Sequence, residues 1–539
     1  MASADALFRH PAPVPLSARM AVGTVGTFLW RLSVIPRSLV FLFSFSIAIS
    51  GWADDPIRNA VVKIHSSRRA PDFLRPWTKG PLRQSTGSGV IIEGKRILTN
   101  AHVVQYSSRL LVQGYQSTER IPARVVGIAP GMDLALLEVD DESFFENRDP
   151  LTLASGIPTL KETVNVYGYP IGGDQLSITE GIVSRIEFTS YFDLTQGLRI
   201  QIDAALNPGN SGGPALANGK IVGLVFSGIP SAENIGYLIP AEEIRLFLAD
   251  LEDGTYRGKY KMLDEMQTVL NPALRRRLQL PSGTGGVMIH EPYQKEGDYP
   301  LQAWDVVTRI GDVPLDPEGN VQVEDNLRLS FQYLIPRFEK EGFLPLTILR
   351  DGKEMNIELP LVIEPDWLVR PLKGTYPPHF IFGPIVFSSA SQDLLRTAGP
   401  RGEALLAARR NPLIRRRYDL ADSGREELVV MGARMFPHPI HEGYDPQLFA
   451  VVDRVNDQPV KSLKHLVELI RGAEGEFITF HLAGQYETLV FPRQEMFDIT
   501  ESILEDEGIR YQYSKDLADA WEGNPRNKKV KGSETNGKD

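Results

Sequence analysis

The chain has 539 residues, which is too long for one hydrophobic core and indicates roughly two to four domains. Its hydrophobic share of 42% and charged share of 23% argue against both wholesale disorder and a polytopic membrane protein. The formal charge of −10 argues against nucleic acid as the main partner, and the absence of cysteine excludes disulfides, thiolate metal sites and cysteine nucleophiles.

Residues 1–53 have the composition of a targeting leader. A basic flank precedes the apolar run Ser38–Ile49, and Gly51-Trp52-Ala53 offers a small residue on each side of a cleavage site. This order is typical of a secretory signal peptide, so we predict a mature chain that begins near Asp54 in the periplasm or another extracytoplasmic space. An uncleaved membrane tether is the alternative, because Val22–Ile35 adds apolar residues, although a run of about a dozen is short for a span of roughly 20 residues.

Residues 54–257 are predicted to form the first folded domain from short strands. Apolar runs separated by Gly, Pro and Asn recur at intervals of about ten residues, which is typical of an antiparallel barrel or sandwich. Two barrels of about six strands each fit this length, and a helix over Ala241–Leu251 closes the domain. The predicted strands are Ala60–Ile64, Ser88–Ile92, Ile97–Thr99, Leu110–Gln113, Ala123–Ile128, Leu134–Val139, Thr163–Tyr167, Gly181–Ile186, Arg199–Ile202 and Ile221–Phe226.

The C-terminal half mixes strands and helices in two units, residues 258–365 (the first module) and 366–500 (the second module). Val306–Pro314 resembles Val451–Pro459, a weak internal repeat that predicts two small α+β modules. Residues 501–539 are predicted to be a partly disordered tail. Predicted helices cover Met262–Leu280, Asn326–Lys340, Gln392–Arg416 and Lys461–Arg471, and predicted strands or hairpins cover Gly286–His290, Trp304–Ile310, Leu344–Leu359, Phe380–Phe387, Glu427–Met431, Phe449–Val455 and Phe477–Phe491.

Three residues that are far apart in the sequence carry the imidazole, carboxylate and hydroxyl groups that nucleophilic catalysis by a serine needs. His102 directly follows a strand, Asp133 stands at the start of an apolar strand, and Ser211 lies among glycines in Asn207–Pro214. Taken singly, each has an ordinary structural interpretation: His102 as a buried histidine, Asp133 as a turn residue and Ser211 as part of a glycine-rich loop. Together, the histidine can take the proton of the serine hydroxyl while the aspartate orients the imidazole. The order His, Asp, Ser is that of chymotrypsin-type peptidases, in which the first two come from one barrel and the serine from a second.

The glycines around the serine predict an oxyanion hole. A tight turn with little side-chain bulk lets main-chain N–H groups point at the charge that develops on the substrate oxygen. We predict this hole from Gly209, Asn210 and Ser211, with the N–H groups of Gly209 and Ser211 as donors and Asn210 shaping the turn. The sequence contains no recognisable metal-ligand cluster or phosphate-binding glycine loop, so we predict no metal and no cofactor.

The succession of motifs resembles the HtrA/Deg serine proteases. The resemblance implies a mainly β protein: a chymotrypsin-like double β-barrel followed here by two α+β PDZ-like domains. It also implies an endopeptidase that degrades unfolded or damaged proteins through an acyl-enzyme, and a homotrimer or a larger trimer-based oligomer. The motifs are Thr86–Val90, Leu98–Val104, Asp133–Leu137, Gly168–Pro170, Thr179–Ser184, Asp203–Pro214 and Asn234–Pro240.

The resemblance also predicts the primary specificity pocket. Ala205 stands where trypsin-like proteins place the base of this pocket, and Leu224, Phe226 and Ser227 stand in its wall. Because no carboxylate is present to pair with Lys or Arg, we predict a preference for small or medium aliphatic side chains. A pocket that selects by volume gains only about 1–3 kcal/mol per methylene, so cleavage is expected to be broad.

Three alternatives remain open at this stage. Phe188–Gly197 corresponds by resemblance to the family's sensor loop, or is an exposed aromatic hairpin loop. Tyr260–Leu263 and Phe380–Ile385 are the candidate carboxylate-binding loops of the two modules, but the first lacks the expected glycine and Pro384 removes a donor from the second. We therefore favour peptide binding for the first module and an interaction role for the second. For the whole chain, the alternative to a peptidase is a chaperone or scaffold with little proteolysis.

Overall fold

The computed structural model describes residues 55–192, 195–228, 235–295, 297–324, 326–432, 434–445, 448–484 and 488–523. The predicted leader and the disorder predicted near the C-terminus lie outside these ranges. No helix in the described ranges has the length and apolar character needed to cross a bilayer.

Two closed six-stranded β-barrels follow each other in the chain. The first closes in the order β1-β2-β3-β6-β5-β4 and the second in the order β10-β11-β12-β9-β8-β7. The first barrel consists of β1 (Val61–Arg68), β2 (Arg83–Ile92), β3 (Arg96–Thr99), β4 (Ser107–Gln113), β5 (Ile121–Ala129) and β6 (Leu134–Val139). The second consists of β7 (Thr163–Gly168), β8 (Ser177–Ser190), β9 (Gln196–Ile202), β10 (Pro214–Ala217), β11 (Lys220–Gly228) and β12 (Gly236–Pro240). Helices α1 (Pro56–Ala60), α2 (Ala101–Val104) and α3 (Ala241–Asp250) and a 3₁₀ turn over Glu142–Phe145 complete this region.

The predicted double barrel is confirmed, and every strand predicted for it is found. β10 and β12 were not predicted, because each is short and buried along its whole length, so it has no alternation of apolar and polar residues. One apolar cluster fills the first barrel, a second runs from the interior of the second barrel into the first module, and a third contains residues of both barrels. Representative residues are Val62, Ile64, Ile97 and Leu137 in the first cluster, Val166, Ile200 and Leu238 in the second, and Leu98, Leu134 and Leu224 in the third.

The first module has a sheet of order β13-β14-β15-β19-β20, with β16 paired to β15 and β17 paired to β18. The predicted helices Met262–Leu280 and Asn326–Lys340 are wrong. Asn271 caps a single short helix at Pro272, and Leu329 is buried on a strand that pairs with β17. The elements are β13 (Glu265–Thr268), α4 (Pro272–Arg277), β14 (Val287–Glu291), β15 (Val306–Ile310), β16 (Val313–Pro314), β17 (Asn320–Glu324), β18 (Leu327–Ser330), a 3₁₀ turn (Phe331–Leu334), α5 (Ile335–Phe338), β19 (Phe343–Arg350) and β20 (Lys353–Pro360).

The second module has a sheet of order β21-β22-β23-β24-β26-β27, with β25 paired to β24. Its first elements are β21 (His379–Phe382), β22 (Ile385–Ser389), α6 (Gln392–Ala408), α7 (Pro412–Arg415), β23 (Val429–Met431) and a 3₁₀ turn (Pro439–His441). They are followed by β24 (Ala450–Val455), β25 (Gln458–Pro459), α8 (Leu463–Arg471), β26 (Phe477–Ala483), β27 (Thr488–Pro492), α9 (Arg493–Asp506), a 3₁₀ turn (Lys515–Leu517) and α10 (Ala518–Glu522).

Three predictions for the second module need correction. Phe380–Phe387 is two strands rather than one, because the chain turns at Gly383, where φ is +53°. Gln392–Arg416 is two helices, the first kinked at Gly399, where φ is +65°, just before a proline. Residues 501–523 are not a tail, because Leu517 and other apolar side chains of this segment are buried in the module's core.

The internal repeat is visible in the sheets. In both modules the repeated segment forms a central strand followed by a two-residue strand that folds back on it. The strand pairing also slips at the equivalent point, between Val307 and Arg309 in the first module and between Val452 and Arg454 in the second. The two modules therefore share one sheet plan despite their low identity.

Candidate active site

His102 and Asp133 meet at one end of the first barrel. β3 pairs with β6 so that Thr99 lies opposite Ala135, and the residues just after β3 and just before β6 consequently emerge side by side. His102 Nδ1 lies 2.6 Å from Asp133 Oδ2, and the main-chain N–H of His102 donates to Asp133 Oδ1 at 2.8 Å. The aspartate is only 2% exposed, whereas the histidine side chain is 46% exposed. A buried carboxylate thus holds an imidazole whose other edge is accessible.

Asn100 supports this pair and was missed as a site residue. Asp133 has a φ of +57°, a left-handed conformation that few residues other than glycine adopt. The fully buried Asn100 donates from Nδ2 to the main-chain carbonyl of Asp133 at 3.0 Å. The only sequence signal was the position of this asparagine, two residues before the histidine.

Ser211 lies in a tight turn between the end of β9 and the start of β10. Asn210 N donates to Asn207 O at 3.0 Å, and Gly213 N donates to Asn210 O at 2.9 Å. The main-chain N–H of Asn210 is therefore bonded within the turn. Of the three residues predicted for the oxyanion hole, Asn210 stabilises the conformation of the turn. Gly209 has a φ of +102°, and a Cβ at this position would lie 2.5 Å from Tyr169 O. Glycine is thus required there by both the conformation and the close approach.

Ser88 on β2 connects the serine turn to the first barrel. Its N–H donates to Ser211 O at 2.8 Å, and its Oγ donates to Gly209 O at 2.7 Å while accepting from Tyr169 N at 2.8 Å. Thr99, at the end of the strand that precedes His102, donates from Oγ1 to Ser88 O at 2.7 Å. Both residues lie in motifs that carry the family resemblance, but the sequence predicts no role for either hydroxyl.

Gly87 marks how close the histidine and serine segments come. A Cβ built on Gly87 would lie 2.6 Å from Val103 Cγ1 and 3.4 Å from Ser211 O, so the residue after His102 and the serine turn flank the same glycine. Within the described ranges no hydrogen bond joins Ser211 Oγ to the His102 ring. Such contacts are often loose in the absence of substrate and tighten in the reacting complex.

The residues predicted for the specificity pocket have different surroundings. Ala205 is exposed just before the serine turn, whereas Leu224 is fully buried in the cluster that contains residues of both barrels. The ring of Phe226 lies 5.3 Å from that of Tyr191 and 6.4 Å from that of Tyr237. Ser227 lies on β11, paired with Tyr237, and its side chain is outside what the structure describes.

The segment Phe188–Gly197 is the hairpin end of β8 and β9, and it reaches both the aspartate turn and the first module, although residues 193 and 194 are outside the described ranges. Phe192 N donates to Gly131 O at 3.1 Å, two residues before Asp133. At the other end, the Phe188 ring lies 6.5 Å from the ring of Tyr333 in the first module. Burial raises the pKa of Tyr191 well above its usual value, which keeps its hydroxyl neutral as it donates to Leu198 O.

Comparisons with known proteins agree with this architecture. Residues 87–224 match a family model described as a trypsin-like peptidase domain, and residues 371–516 match one described as a PDZ domain. The chain is 32% identical over 473 residues to "Protease Do-like 2, chloroplastic" of Arabidopsis thaliana, covering 87% of this chain and 77% of the relative. It is 35% identical over 450 residues to "Protease Do-like 4, mitochondrial" of the same plant, covering 83% of each. The solved structure "HtrA-type protease AlgW with tripeptide" aligns at 23% identity over 57% of this chain and 95% of that chain, with a TM-score of 0.45.

The resemblance suggested by the motifs, the predicted fold class and the predicted enzyme class are thereby confirmed. The long alignments include the barrels and most of both modules. The chain belongs to the HtrA/Deg (Do-like) family of serine proteases.

Proposed function

We propose that the protein is an endopeptidase in which Ser211 is the nucleophile, His102 the general base and then the general acid, and Asp133 the group that orients the imidazole. The observation that carries this proposal is the double hydrogen bond between Asp133 and His102 beside the Ser211 turn. With Nδ1–H held by the carboxylate, the free Nε2 is the atom that can accept the serine proton.

The reaction then follows the acyl-enzyme course. Ser211 Oγ attacks the peptide carbonyl carbon as its proton passes to His102 Nε2, and the carbonyl oxygen becomes an oxyanion. The N–H groups of Gly209 and Ser211 are the proposed donors to that oxygen. The tetrahedral intermediate collapses as the imidazolium gives its proton to the leaving amine. A water then gives a proton to the same nitrogen as it attacks the acyl carbon, and the second tetrahedral intermediate collapses as the imidazolium returns that proton to Ser211 Oγ, which releases the acid product.

We further propose that the first module captures extended segments of unfolded or damaged proteins. β13 is the terminal strand of its sheet, and the segment just before it lines a cavity of about 220 Å³ together with residues of α5 and the second barrel; the lining includes Tyr260, Met262, Leu263, Ile335 and Phe188. An extended peptide could pair with β13 and place apolar side chains in this cavity, as in other strand-addition complexes. The main-chain N–H of Lys261 donates to Val362 O at 2.8 Å, so a terminal carboxylate would have to be bound by other N–H groups of the loop.

The second module suits a structural role better than peptide capture. The outer edge of β21 is occupied by this chain: Ile381 N donates to Gln512 O at 2.9 Å, and Ser514 N donates to His379 O at 3.0 Å. The ring of Trp521, on α10, also lies 4.9 Å from the ring of Phe380. A captured peptide would have to displace this segment, so we assign the second module to intramolecular and assembly contacts.

The leader remains a prediction from its composition, and the assembly remains a prediction from the resemblance. We propose that residues 1–53 direct the chain out of the cytoplasm and that the folded part forms trimers. The leader holds four arginines and one acidic residue, a composition that organelle transit peptides share with signal peptides, and the relatives named above are a chloroplastic and a mitochondrial protein. Mass spectrometry of the N-terminus of the mature protein tests the leader. Light scattering, which gives the mass of the particle in solution, tests the trimer.

Digestion of casein by the wild type and by Ser211→Ala tests the proposed function. We expect digestion by the wild type and none by the variant, with both proteins equally folded. Equal digestion by the two proteins, or none by the wild type, would refute it. Suppression of the aggregation of a heat-denatured protein measures the chaperone alternative, which Ser211→Ala would retain in full.

A further inference from the structure

The second module contacts the first barrel at residues 69–82, which we call the β1–β2 loop, and at the turn that follows α2. Phe73 of this loop packs against one apolar cluster of the second module, which includes Leu394, Leu428 and Phe449. Trp77 packs against a different cluster of the module, and its ring lies 5.4 Å from the ring of Phe436. Two aromatic side chains of the β1–β2 loop thus pack against apolar clusters of a module that lies about 300 residues further along the chain.

The β1–β2 loop is braced internally, so it can transmit position. Its two arms pair at Pro71 and Lys79, and Gly80 N donates to Ala70 O at 2.8 Å. At the tip, Asp72 accepts from the main-chain N–H groups of Leu74 and Arg75, each at 3.1 Å. A loop with these bonds moves as a unit rather than residue by residue.

A third contact joins the base of this loop to the second module. The Tyr376 hydroxyl donates to Arg69 O at 2.6 Å. The same ring lies 5.6 Å from the ring of Tyr106, and Lys79 Nζ stands 4.7 Å from its centre. Tyr376 therefore touches both the β1–β2 loop and the turn that follows α2.

The base of the loop is hydrogen-bonded to the helix that carries His102. Arg68 Nη1 donates to His102 O at 2.8 Å, and Arg69 N donates to Tyr106 O at 3.1 Å. α2 has only four residues, and a helix of one turn has no stability of its own. Val103 and Val104 anchor its inner face in the core, and its outer face is held by these hydrogen bonds together with the two between His102 and Asp133.

We propose that the second module is a positioning element of the peptidase. By holding the β1–β2 loop through Phe73, Trp77 and Tyr376, it keeps Arg68 on the carbonyl of His102 and so keeps the imidazole aligned. This proposal rests on the proposed function, because it matters only if His102 is the base. Arg68 and Tyr376 are positioning residues, since neither reaches the reacting atoms.

The first arm of the test is steady-state hydrolysis of a short, C-terminally blocked chromogenic peptide, which does not need capture by a module. Tyr376→Phe removes only the hydroxyl, and we expect kcat to fall about 2- to 10-fold, the effect of one lost hydrogen bond, with KM unchanged. Trp77→Ala should lower kcat further. The matched controls are Tyr418→Phe, which removes a hydroxyl on the same module, and Trp304→Ala, which removes a 53% exposed indole from the first module; both should keep the wild-type kcat. An unchanged or higher kcat in both test variants would overturn the proposal.

The second arm does not depend on catalysis. In the Ser211→Ala background, hydrogen exchange of residues 101–106 is measured with and without Tyr376→Phe. We expect faster exchange at Gln105, whose N–H donates to Ala101 O at 2.7 Å and closes the single turn of α2. Unchanged exchange would overturn the proposal whatever the kinetics. An inactive wild type with faster exchange in the variant would instead refute the proposed function and leave the mechanical link standing.

Discussion

Replacing Asp133 by asparagine tests the catalytic arrangement with little change to the fold. Asparagine has the same shape and adopts a φ near +57° at least as readily as aspartate. Asn100 would still donate to the carbonyl of residue 133, because that bond uses the main chain. What changes is the side chain facing His102: the amide carries no charge and can donate as well as accept.

The size of the effect follows from burial. Removing one partner of a buried ion pair costs about 3–5 kcal/mol, and the pair in question is the imidazolium of the transition state with its carboxylate. At 1.36 kcal/mol for each tenfold change in rate, this corresponds to about 10²- to 10⁴-fold in kcat. The His102 side chain is 46% exposed, so solvent screens part of the interaction and the lower half of that range applies. We expect a loss of about 10²- to 10³-fold in kcat with little change in KM.

The assay is steady-state hydrolysis of the blocked peptide at several pH values, together with urea unfolding of each protein. Asp141→Asn is the matched control, because Asp141 is an exposed aspartate of the same barrel that caps a 3₁₀ turn. It should keep the wild-type kcat. A loss of less than tenfold in Asp133→Asn, or an equal loss in both variants, would refute the assigned role of Asp133.

Two further predictions concern a glycine pair and a buried histidine. Gly209 and Gly172 have φ values of +102° and +99°, but only at Gly209 would a Cβ meet main-chain atoms within 4 Å. Gly172→Ala should cost about 1–2 kcal/mol of stability and keep kcat, whereas Gly209→Ala should lower kcat by about 10²-fold or more; equal kinetics would contradict the close-approach argument. Burial lowers the pKa of His379 below its usual 6.5, so the unfolded chain takes up its proton first as the pH falls. The free energy of unfolding should therefore decline below pH 6.5, and this residue contributes at most about 1.4 kcal/mol per pH unit to the decline. His379→Gln should remove that contribution. Identical urea-unfolding profiles of the wild type at pH 5 and pH 7 would contradict the prediction.

Local sequence pattern was sufficient for most of the barrel strands. Short apolar runs separated by Gly, Pro and Asn predict ten of the twelve, and they miss only β10 and β12. His102, Asp133 and Ser211 each lie in a motif with a chemical reason, and their catalytic roles stay predictions. The same approach failed for Met262–Leu280, which it predicts as one helix. The structure has a strand at Glu265–Thr268, and the helix begins only at Pro272, after the cap at Asn271. Main-chain pairing with β14, not burial, outweighed intrinsic helix preference there, since three of the four residues of β13 are exposed.

Apart from the pairing of His102 with Asp133, contacts between distant segments could not be predicted from pattern. Ser88 and Thr99 look like ordinary strand residues until the folded chain places them against the serine turn. Trp77 and Phe436 are separated by hundreds of residues, and neither carries a local signal for the other. Sequence spacing alone gives no information on such pairs, because they depend on how complete domains dock.

Covalent labelling tests the central claim most directly. A phosphonofluoridate reagent reacts with a serine only when a neighbouring base activates the hydroxyl. The account predicts one adduct, on Ser211, in the wild type, and at least a hundredfold slower labelling, about the scale of lost base catalysis, in His102→Ala. Labelling of Ser211 at the same rate in both proteins, or a sole adduct at another serine, would contradict it.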